Sequence, residues 1–362
     1  DQKPSNAELM DERVALMKSG TGERGIFNRG SLEKTMPERR VKLLQKKHGK
    51  KTGFIGQVGT NPCGEIILQS KQFCNLTEVI ARAEDTEETL LQKTRIATIL
   101  GTYQSSLTNF PYLSEEWKKN CEEERLLGVS ITGQWDCPAV RSASVLRKMK
   151  EETIRVNEEY AKRFGVNAST CITCVKPSGT VSKTFDTASG MHPRHAPYYV
   201  QRIRISATDS LFKMLKDQGV PYHPEVGQTM ENANTYVVEF PVKSPDGAIC
   251  KNDLMAIQQL EHWKLVKKNF TEHNPSVTIS VGEDEWITVA SWLYENWEMV
   301  GGLSFLPRSN HVYKLAPYEE ITEARYQELK AALGDIDFSK IVAYEKQDET
   351  EAEAKIVKEG AN

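Results

Sequence analysis

The stretch TNPCGEIILQSKQFCNLTEV, residues 60–79, sets Cys63 between Asn61 and Glu65 in a Pro- and Gly-containing turn. A thiol in a turn is more open to reactants than one on a strand or helix. Its S–H bond is weak enough to give up a hydrogen atom, so a radical generator nearby would convert Cys63 to a thiyl. One-electron chemistry of that kind normally comes from a cofactor. Glu65 can accept or return a proton from a substrate hydroxyl. Asn61 can hold a hydroxyl by hydrogen bonds without titrating. Cys74, eleven residues after Cys63, is a candidate electron donor, because two thiols closing to a disulfide release two electrons and two protons. The same residues also fit an ordinary turn whose neighbours merely satisfy its backbone.

A second candidate is KPSGTVS, where Pro177, Ser178, Gly179, Thr180, Val181 and Ser182 join an apolar run to a helix start. Such a turn exposes consecutive backbone N–H groups, and a helix N-terminus favours an anion. Ser178, Thr180 and Ser182 add hydroxyl donors. A capping turn with no ligand has the same residue types. Cys171 and Cys174 form a C-x-x-C with no second pair, so core packing is expected over a zinc site. His192 and His195 have no visible third ligand.

The elements that position these residues are legible as periodic segments. SNAELMDERVALMKSG reads as a helix, capped by Ser5 with Glu8 and stopped at Gly20. The basic run PERRVKLLQKKHGKKTG (37–53) reads as a solvated helix face followed by a Gly turn. Helices are expected from Thr86 to about Phe110 and over 115–165, the latter broken by GVSITGQWDCP, and again at EDEWITVASWLYENWEMV. ASTCITCVKP (168–177), YYVQRIRIS (198–206), TYVVEFPV (235–242) and SVTISV (276–281) read as strands. Strands separated by helical segments predict an α/β architecture with parallel pairing.

With 362 residues, a net charge of -3 and a pI near 6.3, the chain is of ordinary globular composition and not built around a nucleic-acid surface. No eighteen-residue apolar run or signal peptide is visible, so no membrane span is expected. Seven scattered cysteines point to a reducing, cytoplasmic compartment.

NPCGEI followed by FCNL closely resembles the finger loop of class II, adenosylcobalamin-dependent ribonucleotide reductases. The similarity extends through GTYQSSLTNFPYLSEEWKKNCEEERLLGVSITG and VKPSGTVSKTFDTASGMHPRHAPYYVQRIRI, and so over residues 20–345. EEERLLGVSITG looks like the monomeric, triphosphate-reducing branch. The resemblance implies that Cys63 forms the thiyl radical that takes the substrate's 3′-hydrogen, and that Glu65 deprotonates the 3′-hydroxyl as the 2′-hydroxyl leaves as water. It implies that Asn61 bonds the ribose hydroxyls, that Cys74 is one of two reducing cysteines, and that residues 177–182 hold the substrate phosphates. Tyr198 and Tyr199 lie too close to that loop for the tyrosine relay of class I reductases, and read as strand aromatics.

The implied fold is α/β: the second half of the family's ten-stranded α/β barrel with its central finger loop. Residues 1–55 would be a helical lead-in, 56–345 the catalytic half-barrel with a finger loop at about 60–79 and a phosphate loop at about 176–183, and 346–362 a charged mobile tail. The implied cofactor is adenosylcobalamin, the substrate a ribonucleoside triphosphate, and the reductant thioredoxin-like. The chain begins with Asp1 and its last cysteine is Cys250. The family's N-terminal barrel half, with the other reducing cysteine, and its C-terminal cysteine pair are therefore expected to be missing. The alternatives are a non-catalytic or split subunit that needs a separate N-terminal half, and a thiol-redox protein that uses Cys63 and Cys74 without a radical.

Overall fold

Helix α1 (Asn6–Ser19) begins where the Ser5 hydroxyl accepts the Glu8 N–H and the Glu8 carboxylate accepts the Ser5 N–H, and it ends at Gly20 in the left-handed conformation. Both caps match the sequence expectation. The computed structural model describes residues 2–22, 25–49, 54–308 and 315–345. The expected tail at 346–362 and the end of the basic run at 50–53 lie outside them. The strands are β1 (Gly25–Phe27), β2 (Val58–Thr60), β3 (Ile67–Gln69), β4 (Asn75–Ile80), β5 (Leu127–Thr132), β6 (Tyr198–Ser206), β7 (Tyr222–Pro224), β8 (Thr235–Lys243), β9 (Thr278–Val281), β10 (Gly302–Pro307) and β11 (Tyr318–Glu320). The remaining helices are α2 (Leu32–Thr35), α3 (Glu38–His48), α4 (Glu87–Ser105), α5 (Glu115–Glu124), α6 (Ala143–Phe164), α7 (Thr180–Thr184), α8 (Ser210–Asp217), α9 (Ala256–Asn269), α10 (Trp286–Glu295), α11 (Glu323–Leu333) and α12 (Ile341–Glu345). The fold is mixed α/β. No described helix is long and apolar enough to cross a membrane.

The chain divides into two compact units, Asp1–Arg194 with Ile249–Val312, and His195–Ala248 with Tyr313–Asn362. The sequence expectation placed 56–345 in one catalytic unit. In the first unit β4 pairs parallel with β5, and β9 pairs parallel with β10, which carries β1 antiparallel. Between the two pairs runs the extended segment 171–175, bridged in parallel to Val129 on one side and to Pro275 on the other. It was expected as a regular strand over 168–177. The ladder is interrupted because the Thr173 carbonyl accepts the N–H groups of both Glu272 and His273, a local bulge.

β5 corrects another expectation, since GVSITGQWDCP reads as a break between helices and instead opens as a strand. All six β5 residues are buried, as a central parallel strand requires. Its polar side chains are satisfied: Thr132 donates to the Ala188 carbonyl, and the Ser130 hydroxyl accepts the Lys176 N–H. One apolar core, including Leu127, Val129, Ile131, Trp263, Ile279 and Phe305, lies between these strands and α4, α6, α9 and α10. The excursion into the second unit leaves and re-enters this unit at a bridge between Arg194 and Cys250, with Arg194 N–H donating to Ile249 and Lys251 N–H to Arg194.

The second unit corrects the parallel-pairing expectation. Its sheet runs β11–β6–β8–β7 and is antiparallel throughout, with β6 and β8 paired from Tyr198↔Lys243 to Ser206↔Thr235. The apolar–polar alternation in QRIRIS marks a sheet with one wet face, the pattern of antiparallel sheets. Its core stacks Phe212 on Tyr236 at 4.6 Å.

The basic helix α3 is also not wholly solvated. Arg40 is buried in an ion pair with Glu124, Nε to Oε2 at 2.7 Å, so one charge of the run is structural.

Candidate active site

The stretch that carries Cys63 folds as a hairpin, β2 against β3 antiparallel, with Asn61–Ile66 at its tip. Asn61–Pro62–Cys63–Gly64 closes as a turn, Gly64 N–H donating to the Asn61 carbonyl at 3.0 Å. Pro suits the second position of such a turn, and Gly64 has φ +79°, which favours glycine. The Asn61 Oδ1 accepts the Ile66 N–H at 3.0 Å. What Asn61 can offer a ligand is therefore its Nδ2 hydrogens.

Three consecutive carbonyls of the tip are gripped by residues 274–276. Cys63 accepts from the Ser276 hydroxyl, Gly64 from Asn274 Nδ2 at 3.0 Å, and Glu65 from the Asn274 N–H at 3.0 Å. Asn274 is in turn fixed to Gly302 through both amide atoms, at 3.1 and 3.2 Å. A Cβ at Gly301 would lie 2.6 Å from the Asn274 Oδ1, so the glycine pair makes room for the amide. His273 Nδ1 accepts the Ile67 N–H at 3.2 Å and its Nε2–H donates to Leu127. Burial holds that imidazole well below its usual pKa and therefore neutral. The sequence reading missed Asn274, Ser276 and His273. Their one signal is the polar run TEHNPS between a helix and a strand, which reads as a loop yet is buried from Thr271 to Asn274.

The hairpin's far end is anchored on the Arg40–Glu124 pair. Gln69 and Gln72 both donate to Glu124 Oε1, and the Thr170 hydroxyl donates to Oε2 at 2.7 Å. Burial alone would raise the Glu124 pKa, but Arg40 and these donors outweigh it and hold the carboxyl at about 2.

At the tip Cys63 is exposed. Partial burial of the sulfur and the Glu65 charge raise its pKa, against an opposing pull from Lys176. The thiol keeps its proton at neutral pH. That suits a hydrogen-atom donor and not a thiolate nucleophile. Glu65 is 3% exposed, and among the described residues its Oε2 has no hydrogen-bond partner. A buried carboxylate oxygen left without a partner is costly unless a ligand completes it. Cys74 is half-buried, and its thiol is raised beyond the ordinary range by burial first and the Glu65 charge second. The Glu65 charge thus reaches both thiols.

Pro177–Ser182 bridges the extended segment 171–175 and the short α7. Pro177, Gly179 and Thr180 are exposed, while Ser178 and Ser182 are buried. The Ser178 hydroxyl accepts the Ser182 N–H at 3.0 Å, and the Ser182 hydroxyl donates to the Ser178 carbonyl at 2.6 Å. The Ser182 hydroxyl is therefore spent inside the loop, while the Ser178 hydroxyl is held as an acceptor within it. The first turn of α7 and the Thr180 hydroxyl are what the loop presents. Just beyond α7, Arg194 pairs with Asp136 at 2.9 Å and Asp186 at 2.7 Å. Cys171 and Cys174 are both buried, with Cys171 pushed up to about 12 by burial. Among the described residues no group of three or more His, Cys, Asp or Glu is placed to hold a metal ion.

No family model matches the chain. It is 30% identical over 298 residues to a probable adenosylcobalamin-dependent ribonucleoside-triphosphate reductase of Dictyostelium discoideum, covering 78% of this chain and 38% of that protein. It is 28% identical over 343 residues to the adenosylcobalamin-dependent ribonucleoside-triphosphate reductase of Lactobacillus gasseri, covering 84% and 44%. A crystal structure of a B12-dependent, class II ribonucleotide reductase superposes with a TM-score of 0.71 at 23% identity, over 95% of this chain and 51% of that one. The chain therefore spans less than half the length of these curated relatives. It is a homologue of the adenosylcobalamin-dependent ribonucleoside-triphosphate reductases, matching a segment of about two fifths of their length.

Proposed function

We propose that this chain carries the radical centre and phosphate loop of a reductase that converts ribonucleoside triphosphates to 2′-deoxyribonucleoside triphosphates, built on a half-barrel with a central finger loop. The observation that carries the reading is the clamped hairpin tip. It presents a protonated, exposed Cys63 beside a buried Glu65 oxygen that no described residue satisfies.

In this reading the Cys63 thiyl takes the 3′-hydrogen of the ribose. Glu65 accepts the 3′-hydroxyl proton, which the radical has made more acidic, while the 2′-hydroxyl leaves as water. Asn61 orients the hydroxyls through Nδ2. Cys74 and a second thiol close to a disulfide, and their two electrons and two protons balance the loss of oxygen as water. Cys63 then returns a hydrogen atom to C3′. The α7 end of residues 177–182 receives the substrate phosphates through backbone N–H groups.

Adenosylcobalamin, when bound, supplies the one-electron oxidation that generates the thiyl. The residues present fit such a group, because Cys63 is exposed and retains its S–H, and Cys63 is the residue that would face it. We assign the second thiol to an N-terminal barrel half that completes the site, and re-reduction to a thioredoxin-like protein.

The test is Cys63→Ser in an active assembly of this chain with the complementary half. A serine O–H is too strong to pass the radical on, so deoxynucleotide formation should be abolished. Measurable product from the serine variant would remove Cys63 from the mechanism.

A further inference from the structure

We propose that Lys176, held by Glu78, is a positioning residue of this site: it fixes the start of the 177–182 loop on the sheet face that the hairpin tip covers.

The argument begins with register. β4 and β5 pair with Leu76 opposite Gly128 and Glu78 opposite Ser130, so these four residues share a face of the sheet. Cys174 shares it, because a Cβ on Gly128 would lie 2.4 Å from Leu76 Cδ2 and 3.2 Å from Cys174 Sγ. The same Cβ would lie 3.0 Å from Ile66 Cδ1, so the hairpin tip rests on this face too. At its upper end Lys176 Nζ spans Ser130 to reach Glu78 Oε2 at 2.7 Å, while the Lys176 N–H bonds the Ser130 hydroxyl at 3.0 Å. Lys176 thus ties three adjacent strands together one residue before Pro177.

The pair is closed to water. The Glu78 side chain is 5% exposed and that of Lys176 19%, and both Glu78 oxygens are buried with no hydrogen-bond partner of good geometry among the described residues. Lys176 is the cation within ion-pair distance of that carboxylate among the described residues. Removing it would leave a buried, unpaired charge on the face the hairpin covers, a costly arrangement. The titratable groups on the surrounding elements are Glu65 on the hairpin, Cys74 and Glu78 at β4, and Cys174 beside Lys176. At Cys63 the Glu65 charge raises the thiol pKa and Lys176 lowers it. Lys176 therefore opposes the burial and the Glu65 charge that suppress ionisation of the thiol, while it holds the loop in place.

The inference deepens the reading of Cys63 as the reacting thiol, and its test needs no turnover, so the two fail separately. The rate of Cys63 alkylation by iodoacetamide is followed from pH 7 to pH 11 in the full 362-residue chain, with peptide mass spectrometry reading Cys63 alone. Lys176→Met should move the midpoint of the profile upward and slow alkylation about threefold below it, a shift of roughly half a pH unit. Lys176→Arg should restore the profile. Glu78→Gln should move it downward, since the ammonium is then uncompensated. Should Lys176→Met not fold, Glu78→Gln carries the test alone. Profiles of folded variants that superimpose on the wild type would overturn the proposal, as would a Lys176→Arg profile that follows Lys176→Met.

Discussion

Asn274 donates its side-chain amide to the carbonyl of Gly64 at 3.0 Å, across 210 residues of sequence. The bond holds the turn that carries Cys63 from outside the hairpin, so the geometry of the reactive stretch is set elsewhere in the chain. Asn274→Ala should lower stability by about 2–4 kcal/mol, because partners at Gly64 and Gly302 lose bonds in a buried site. Asn274→Asp should cost more, since a carboxylate would face two carbonyl oxygens. Urea unfolding measures the cost, and faster hydrogen exchange confined to residues 61–67 would show that the loss is local to the tip.

Cys74→Ser separates electron delivery from radical initiation. Burial and the Glu65 charge keep the Cys74 thiol protonated, so in the proposed reaction it contributes protons as well as electrons. In an active assembly, tritium exchange between cofactor and solvent should survive the substitution while product falls to a single turnover or less. Equal loss of both would make Cys74 structural, and undiminished turnover would remove it from the reaction.

The Arg40–Glu124 pair predicts a loss of stability in acid. The Glu124 carboxyl sits at about 2 against an ordinary 4.5, so its contribution is complete above pH 4.5 and is lost as the pH falls toward 2. The loss should amount to roughly 3 kcal/mol. Arg40→Met should cost about 3–5 kcal/mol at neutral pH, because it leaves a buried carboxylate without its cation. It should also flatten the acid limb. Denaturant midpoints measured from pH 2 to pH 6 for both proteins test the two statements together.

Histidines act in a higher window. Burial lowers the pKa of His192 and His273 and takes His262 to about 4, from an ordinary 6.5. Below pH 6.5 the unfolded chain binds protons that the folded one refuses, so stability should fall, by at most about 1.4 kcal/mol per pH unit for each histidine. The slope from pH 6.5 to pH 5 should therefore exceed that of a single group. His262→Gln, which can keep a hydrogen bond to Gln134, should reduce the slope by one group's share. A pH-independent midpoint across that range would contradict the neutral assignments.

Residues close in sequence were legible as local units. Asn61, Cys63 and Glu65 fall within five positions, and the Ser5–Glu8 cap within four, so residue type and spacing carry the information. What grips them was not legible. Asn274 and Ser276 act at a separation of more than two hundred residues, and a polar run after a helix reads as loop until it is seen to be buried. Lys176 before a proline reads as a surface lysine, and its partner Glu78 belongs to a different strand. β5 reads in the sequence as a break between helices because Gly128, Ser130 and Thr132 are poor helix formers. Gly128 is small because the hairpin tip and Cys174 crowd it, and the hydroxyls tie β5 to its neighbours. KPSGTVS shows the opposite limit, since residue type reveals a hydroxyl but not that the one on Ser182 is already spent on the Ser178 carbonyl.

The bridge at Arg194 and Cys250 gives the molecule a modular character. Because the outgoing and returning backbones are hydrogen-bonded to each other, the excursion from 195 to 248 is a stem-and-head insertion. The chain order of the hairpin, loop and parallel strands does not run through it. Lineages could lengthen, replace or discard the head without re-registering the strands that carry Cys63 and Lys176. Because the two backbones run parallel at the bridge, an engineer would join Arg194 to Ile249 with a crossover linker of about a dozen residues and end the chain after Val312, to obtain the thiol-bearing unit as a separate piece.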